Sequence, residues 1–81
     1  MATILLVEDA LDLAQAIVRE LEAAGYEALH TGDGLTALQL HASHQPDLVI
    51  LDWMLPRLDG LEVLRQIRQS SATPEIGRAH V

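Results

Sequence analysis

The chain has 81 residues, 49% of them hydrophobic, with a formal charge of −7, which is enough for one small domain and too little for two. The acidic balance argues against a nucleic-acid surface, which needs clustered Lys and Arg. The absence of cysteine excludes disulfides and thiolate metal sites, and no stretch approaches the roughly 20 apolar residues of a membrane span. All five basic side chains are Arg, and the aromatic residues are Tyr26 and Trp53 alone, so a core must come from Leu, Ile, Val and Ala.

Thr3 to Val7 is a short apolar run closed by the acids Glu8 and Asp9. It reads as a strand buried on both faces, and it is too short and too acid-flanked to be a signal-peptide core. From Asp12 to Ala24 the period changes. Leu13, Ile17 and Leu21 recur at helical spacing, with Ala14 and Val18 beside them. Asp9 or Asp12 is placed to cap this helix, Glu20 and Glu22 fall on its wet side, and Gly25 suits its C-terminal exit. Tyr26 to His30 alternates only partly, as an edge strand does. Leu35 to His44 is a second helix with Leu35 and Leu38 as anchors, stopped by Gln45-Pro46-Asp47.

Leu48-Val49-Ile50-Leu51-Asp52 is the stretch around which the rest is organised. Unbroken apolar residues predict a strand buried between two helix layers. A carboxylate at its C-terminal end sits where open α/β sheets place their ligands. Gly60 to Gln69 is a third helix carrying Leu61, Leu64 and Ile67, with Val63 flanking and Asp59 as a cap. Arg65 and Arg68 suit its negative end. The order is βαβαβα, and each crossover is helical, which implies parallel strands and right-handed connections.

If the first and third strands are neighbours, about 4.8 Å apart, Glu8, Asp9 and Asp52 meet at one edge. Such acids repel unless a cation joins them. A hard divalent ion with oxygen ligands, Mg2+ above all, fits, and the Met54 carbonyl is placed to complete its protein ligands. Asp52 could then attack phosphorus as a carboxylate nucleophile.

These motifs together resemble the receiver domain of bacterial two-component response regulators. The resemblance rests on Ile4 to Asp9, Gly25-Tyr26-Glu27, Asp33-Gly34 and the long run Pro46 to Leu64. It covers residues 3 to about 76 at the expected spacings. It implies an incomplete flavodoxin-like (CheY-like) α/β fold of three layers, with parallel strands in order 2-1-3, three helices, and the last two strands and helices missing. It implies Asp52 as phospho-acceptor from a sensor histidine kinase. It implies Mg2+ held by Asp9, Asp52 and the Met54 carbonyl, with Glu8 helping through water, and Pro56 and Gly60 shaping the acceptor loop. The expected module is cytoplasmic and non-membrane, binds no nucleic acid directly, and accepts a phosphoryl group rather than turning over a substrate. Its parent most resembles receivers attached to winged-helix transcription factors.

The departures are specific. The family carries a Ser or Thr at the end of its fourth strand and a Lys at the end of its fifth. This chain has no Lys; Ser70 to Ile76 reads as a lead into another strand before Gly77 to Val81 breaks the pattern, and Thr73 precedes that missing strand. Residues 1–76 therefore read as the N-terminal part of a receiver and 77–81 as a tail outside the family pattern, with phosphorylation impaired. An uncovered third strand predicts self-association, through that strand or by exchange of the tail Thr73–Val81. Two other readings compete. A structural fragment would leave the acids merely solvated. An aspartyl phosphohydrolase would want a second Asp where Met54 stands. His41 and His44 could share a helix face but have no third ligand, and His30 and His80 read as solvent residues.

Overall fold

The computed structural model describes residues 1–52, 60–70 and 75–78. The elements are β1 (Thr3–Val7), α1 (Leu11–Ala23), β2 (Glu27–Thr31), α2 (Gly34–His44), β3 (Leu48–Asp52), α3 (Gly60–Ser70) and β4 (Glu75–Arg78). The sheet order is β2-β1-β3-β4, and every pairing is parallel. The order 2-1-3 is the one the sequence implied. Among the described residues no helix is long and apolar enough to cross a membrane.

The central strands are apolar without alternation because both of their faces are covered. Leu5 and Val7 of β1 and Val49 and Leu51 of β3 turn to one side. There they form a buried cluster with Ala37 of α2 and Val63 and Ile67 of α3. Ile4 and Leu6 are buried on the opposite face, as the two-residue period of a strand requires. The start of β3 is locked to β1 by a reciprocal pair: Thr3 N–H donates to the Asp47 carboxylate at 2.8 Å, and Asp47 N–H donates to the Thr3 carbonyl at 2.8 Å.

Helix ends follow their local chemistry. α1 closes in a Schellman turn, with Tyr26 N–H on the Leu21 carbonyl and Gly25 N–H on the Glu22 carbonyl, both at 3.0 Å. Gly25 has φ +94°, open to glycine at little cost. Asp33 caps α2, accepting from Leu35 N–H at 2.9 Å and from the Thr36 hydroxyl at 3.3 Å. α2 ends at Gln45, whose φ is +48°. On α3 an Arg65–Glu62 ion pair lies on the exposed side.

Four expectations need correction. The sheet does not stop at its third strand: Glu75–Arg78 pairs with Val49–Asp52. Its four residues carry one strong β-former, Ile76, too weak a local signal to read. The unpaired N–H and C=O groups of β3 supply what the segment lacks. That pairing covers the third-strand edge within one chain, so the expected route to self-association through it is closed. Next, neither Asp9 nor Asp12 caps α1, because Ala10 occupies the cap position and makes no side-chain bond there. Leu13 and Leu35, expected anchors, are 38% and 48% exposed. α1 packs on β2, an edge strand that offers half a platform, so Ala14 is the buried residue of α1. α2 has apolar side chains around much of its girth, and its buried face is Gly34, Ala37 and His41. Finally, Val63 is fully buried core rather than a flanking residue. The expected roles of Leu61 and Leu64 concern side chains outside the described part.

Candidate functional site

β1 and β3 run side by side, and their last shared pair is Val7 with Leu51. Both strands therefore leave the sheet at the same edge, β1 into Glu8-Asp9 and β3 at Asp52. Asp52 is the last residue of β3, and its backbone is paired in register with Arg78 of β4. The carboxylate of Asp52 and the whole of Trp53 to Asp59, which includes Met54, Pro56 and the expected α3 cap Asp59, lie outside the described residues, as does His80.

Glu8 is fully buried. A carboxylate taken out of water is costly unless donors or cations surround it. One donor is Ala10 N–H, which reaches its Oε2 at 3.0 Å. This bond ties the side chain back to the start of α1, where the helix dipole also favours negative charge. The backbone of Glu8 is held from β2: its N–H donates to the Thr31 carbonyl at 3.0 Å, and its carbonyl accepts from His30 Nε2 at 2.9 Å. Asp9, the next residue, is exposed. Gly32 backs it closely, since a Cβ there would stand 3.3 Å from the Asp9 Cα.

His30 was expected to be a plain solvent residue. It is exposed, as expected, but its ring also reaches the acid-bearing tip, and partial burial lowers its pKa below the usual histidine value. The available signal was parity: His30 pairs with Leu6 on β1 and shares its face. His41 is buried and His44 exposed, so these two histidines do not form a common site. Among the described residues no three His, Cys, Asp or Glu side chains come together as a metal cage. The described part of the acidic edge supplies Glu8 and Asp9.

A sequence model of the response regulator receiver domain matches residues 4–77. The chain belongs to this family. Relatives of this receiver domain include the response regulator ArlR of Staphylococcus saprophyticus, 46% identical over 76 residues. The match spans 94% of this chain and 34% of that protein. The alkaline phosphatase synthesis transcriptional regulatory protein PhoP of Bacillus subtilis is 42% identical over 66 residues, 82% of this chain and 28% of the other. The chain thus spans about a third of the length of these relatives. Solved structures agree. The Francisella response regulator 1452 receiver domain superimposes with TM-score 0.92 at 32% identity, covering 98% of this chain and 66% of that one. The N-terminal domain of a response regulator receiver protein from Methanoculleus marisnigri gives 0.88 at 34%, covering 95% and 65%.

Proposed function

We propose that this receiver domain takes a phosphoryl group on Asp52 from a sensor histidine kinase, with Mg2+ held by Asp9, Asp52 and the Met54 carbonyl and by Glu8 through water. The observation that supports this reading is the parallel pairing of β1 with β3, which sends Glu8-Asp9 and Asp52 out of one sheet edge. The donor set fits the ion. All its atoms are hard oxygens, which suit Mg2+ and not a thiolate-seeking metal. A buried Glu8 next to Asp9 is also negative charge that a divalent cation offsets. When bound, the ion neutralises charge on the incoming phosphoryl oxygens.

The chain's own residues do the rest. Glu8 is held in place by Ala10 N–H and stays buried beside the edge. The Asp52 carboxylate attacks phosphorus. A P–O bond to Asp52 forms as the P–N bond to the kinase histidine breaks, and the departing imidazole keeps that electron pair. The product is an acyl phosphate on the chain itself, so the domain is a stoichiometric acceptor, not a turnover enzyme. Its compartment is the cytoplasm. The relative named as a transcriptional regulatory protein supports transcription as the output of a full-length protein. Self-association through β3 is not part of this reading, because β4 pairs that edge.

The test is mass spectrometry after incubation with a small phosphodonor and Mg2+. Wild type gains one phosphoryl group, and Asp52→Asn gains none. An unmodified wild type, or equal gain in both, removes the proposal.

A further inference from the structure

We infer that His30 is a positioning residue for the acid tip of β1, gripping the Glu8 carbonyl so that Asp9 leaves the sheet along one fixed path. The inference rests on the reading of Glu8 and Asp9 as metal ligands. Its grounds are three contacts that the end of β2 and the residue after it make with Glu8 and Asp9.

The first is the imidazole. His30 Nε2 stands 2.9 Å from the Glu8 carbonyl oxygen. A carbonyl can only accept, so Nε2 carries the hydrogen and the ring is held in one tautomer. The second is backbone: Glu8 N–H donates to the Thr31 carbonyl at 3.0 Å. The peptide groups on both sides of the Glu8 Cα are therefore fastened to β2, one by a backbone carbonyl and one by a side chain. This matters because the register of β1 with β2 ends at Val7 and Thr31. The imidazole contact lies one residue beyond that last pair, so it carries the grip of β2 on to the Glu8 carbonyl. The third contact is steric. A Cβ at Gly32 would meet the Asp9 Cα at 3.3 Å and the Glu8 carbonyl oxygen at 3.4 Å. The chain comes so close there that a side chain would push Asp9 away.

Together these contacts bring both the His30 ring and the bare backbone of Gly32 against the Glu8-Asp9 peptide. The backbone path by which Asp9 leaves β1 is thereby set by β2 and the residue that follows it. A ligand ordered before the cation arrives does not have to be ordered by it, which strengthens binding. A hydrogen bond that serves only stability would act on folding and leave the affinity of the folded site unchanged. The two roles are separable by a substitution that keeps the donor. Glutamine places an amide N–H near the position of Nε2, whereas leucine fills the space and donates nothing.

The experiment measures Mg2+ binding by calorimetry for wild type, Asp9→Ala, His30→Gln and His30→Leu. Thermal melts without Mg2+ and hydrogen exchange at the Asp9 amide accompany each. Loss of a partner that orients a metal ligand weakens binding roughly tenfold or more, and that is the expectation for His30→Leu, with faster exchange at Asp9. His30→Gln is expected to stay within about twofold of wild type, because the donor is kept. Wild-type affinity in His30→Leu overturns the inference. So does equal weakening in both His30 variants in step with their melting temperatures, which would make the role one of packing. If the wild type binds no Mg2+, or if Asp9→Ala binds as well as wild type, the metal-site reading falls and the inference with it. Those outcomes are recognised without any His30 variant.

Discussion

Replacing Leu51 with Ala removes a side chain from the middle of the sheet. Leu51 is fully buried. Its backbone pairs with Val7 on one side and Gly77 on the other, and its side chain joins Ala37, Val63 and Ile67 in the main cluster. Strands on both flanks leave little room to collapse, so the cost is expected near the middle of the range for such truncations, about 3 to 4 kcal/mol. The same change at Leu35, which is 48% exposed, is expected to cost under about 0.5 kcal/mol. A chain of 81 residues has a net stability of about 4 to 12 kcal/mol. Leu51→Ala therefore removes roughly a quarter of it or more. With a urea slope of about 1.5 kcal/mol per M, the midpoint falls by roughly 2 M or more. Urea unfolding followed by far-ultraviolet circular dichroism reads both variants. A cost below about 1 kcal/mol at Leu51 would refute a central, doubly flanked β3. Equal costs at the two leucines would refute the assigned face of α2.

Further tests address local devices and the site. Gly25→Ala meets no atom within 4 Å but must hold φ near +94°, so it is expected to cost about 1 to 2 kcal/mol by conformation alone; a neutral result in urea unfolding would contradict the left-handed exit of α1. Asp33→Ala removes the cap of α2, with an expected loss of about 1 kcal/mol, whereas Asp33→Asn retains most of it. Titrating Mg2+ while following Trp53 emission is expected to give a saturable change that Asp9→Ala abolishes; a flat wild-type trace would favour merely solvated acids. The His30 pKa is lowered by burial. As pH falls the unfolded chain takes up this proton first, so the stability linked to His30 is full above the ordinary value of 6.5 and is lost as pH drops towards the folded-state value. Wild type should therefore lose more stability than His30→Gln between about pH 7.5 and about pH 5.5. Parallel losses would show that the imidazole is not desolvated.

How much of this was visible beforehand differs from element to element. β1 and β3 were legible to the residue because an unbroken aliphatic run closed by an acid has few other uses. Gly25 was legible because a left-handed helix exit is made by the residue itself. The face of α2 was not, since Leu35, Ala37, Leu38 and Leu40 cover much of its surface and periodicity cannot choose among them. α1 presented a clear stripe, yet Leu13 stays partly exposed because the strand beneath it is an edge. β4 was legible only as a lead into a further strand, because Glu-Ile-Gly-Arg has little strand preference of its own.

The acids at the site divide the same way. That Glu8-Asp9 and Asp52 each close an apolar strand is a matter of chain order, and chain order was enough to nominate them. That β1 and β3 are neighbours was implied by the family resemblance and by no periodicity, whereas the burial of Glu8 and the approach of His30 and Gly32 to the Glu8-Asp9 peptide come only with the packed fold. These contacts join residues more than twenty positions apart, and a periodicity reaches no further than its own helix or strand. Propensity and patterning act within one element, whereas burial and hydrogen-bond partners at a sheet edge depend on which elements the folded chain sets next to each other.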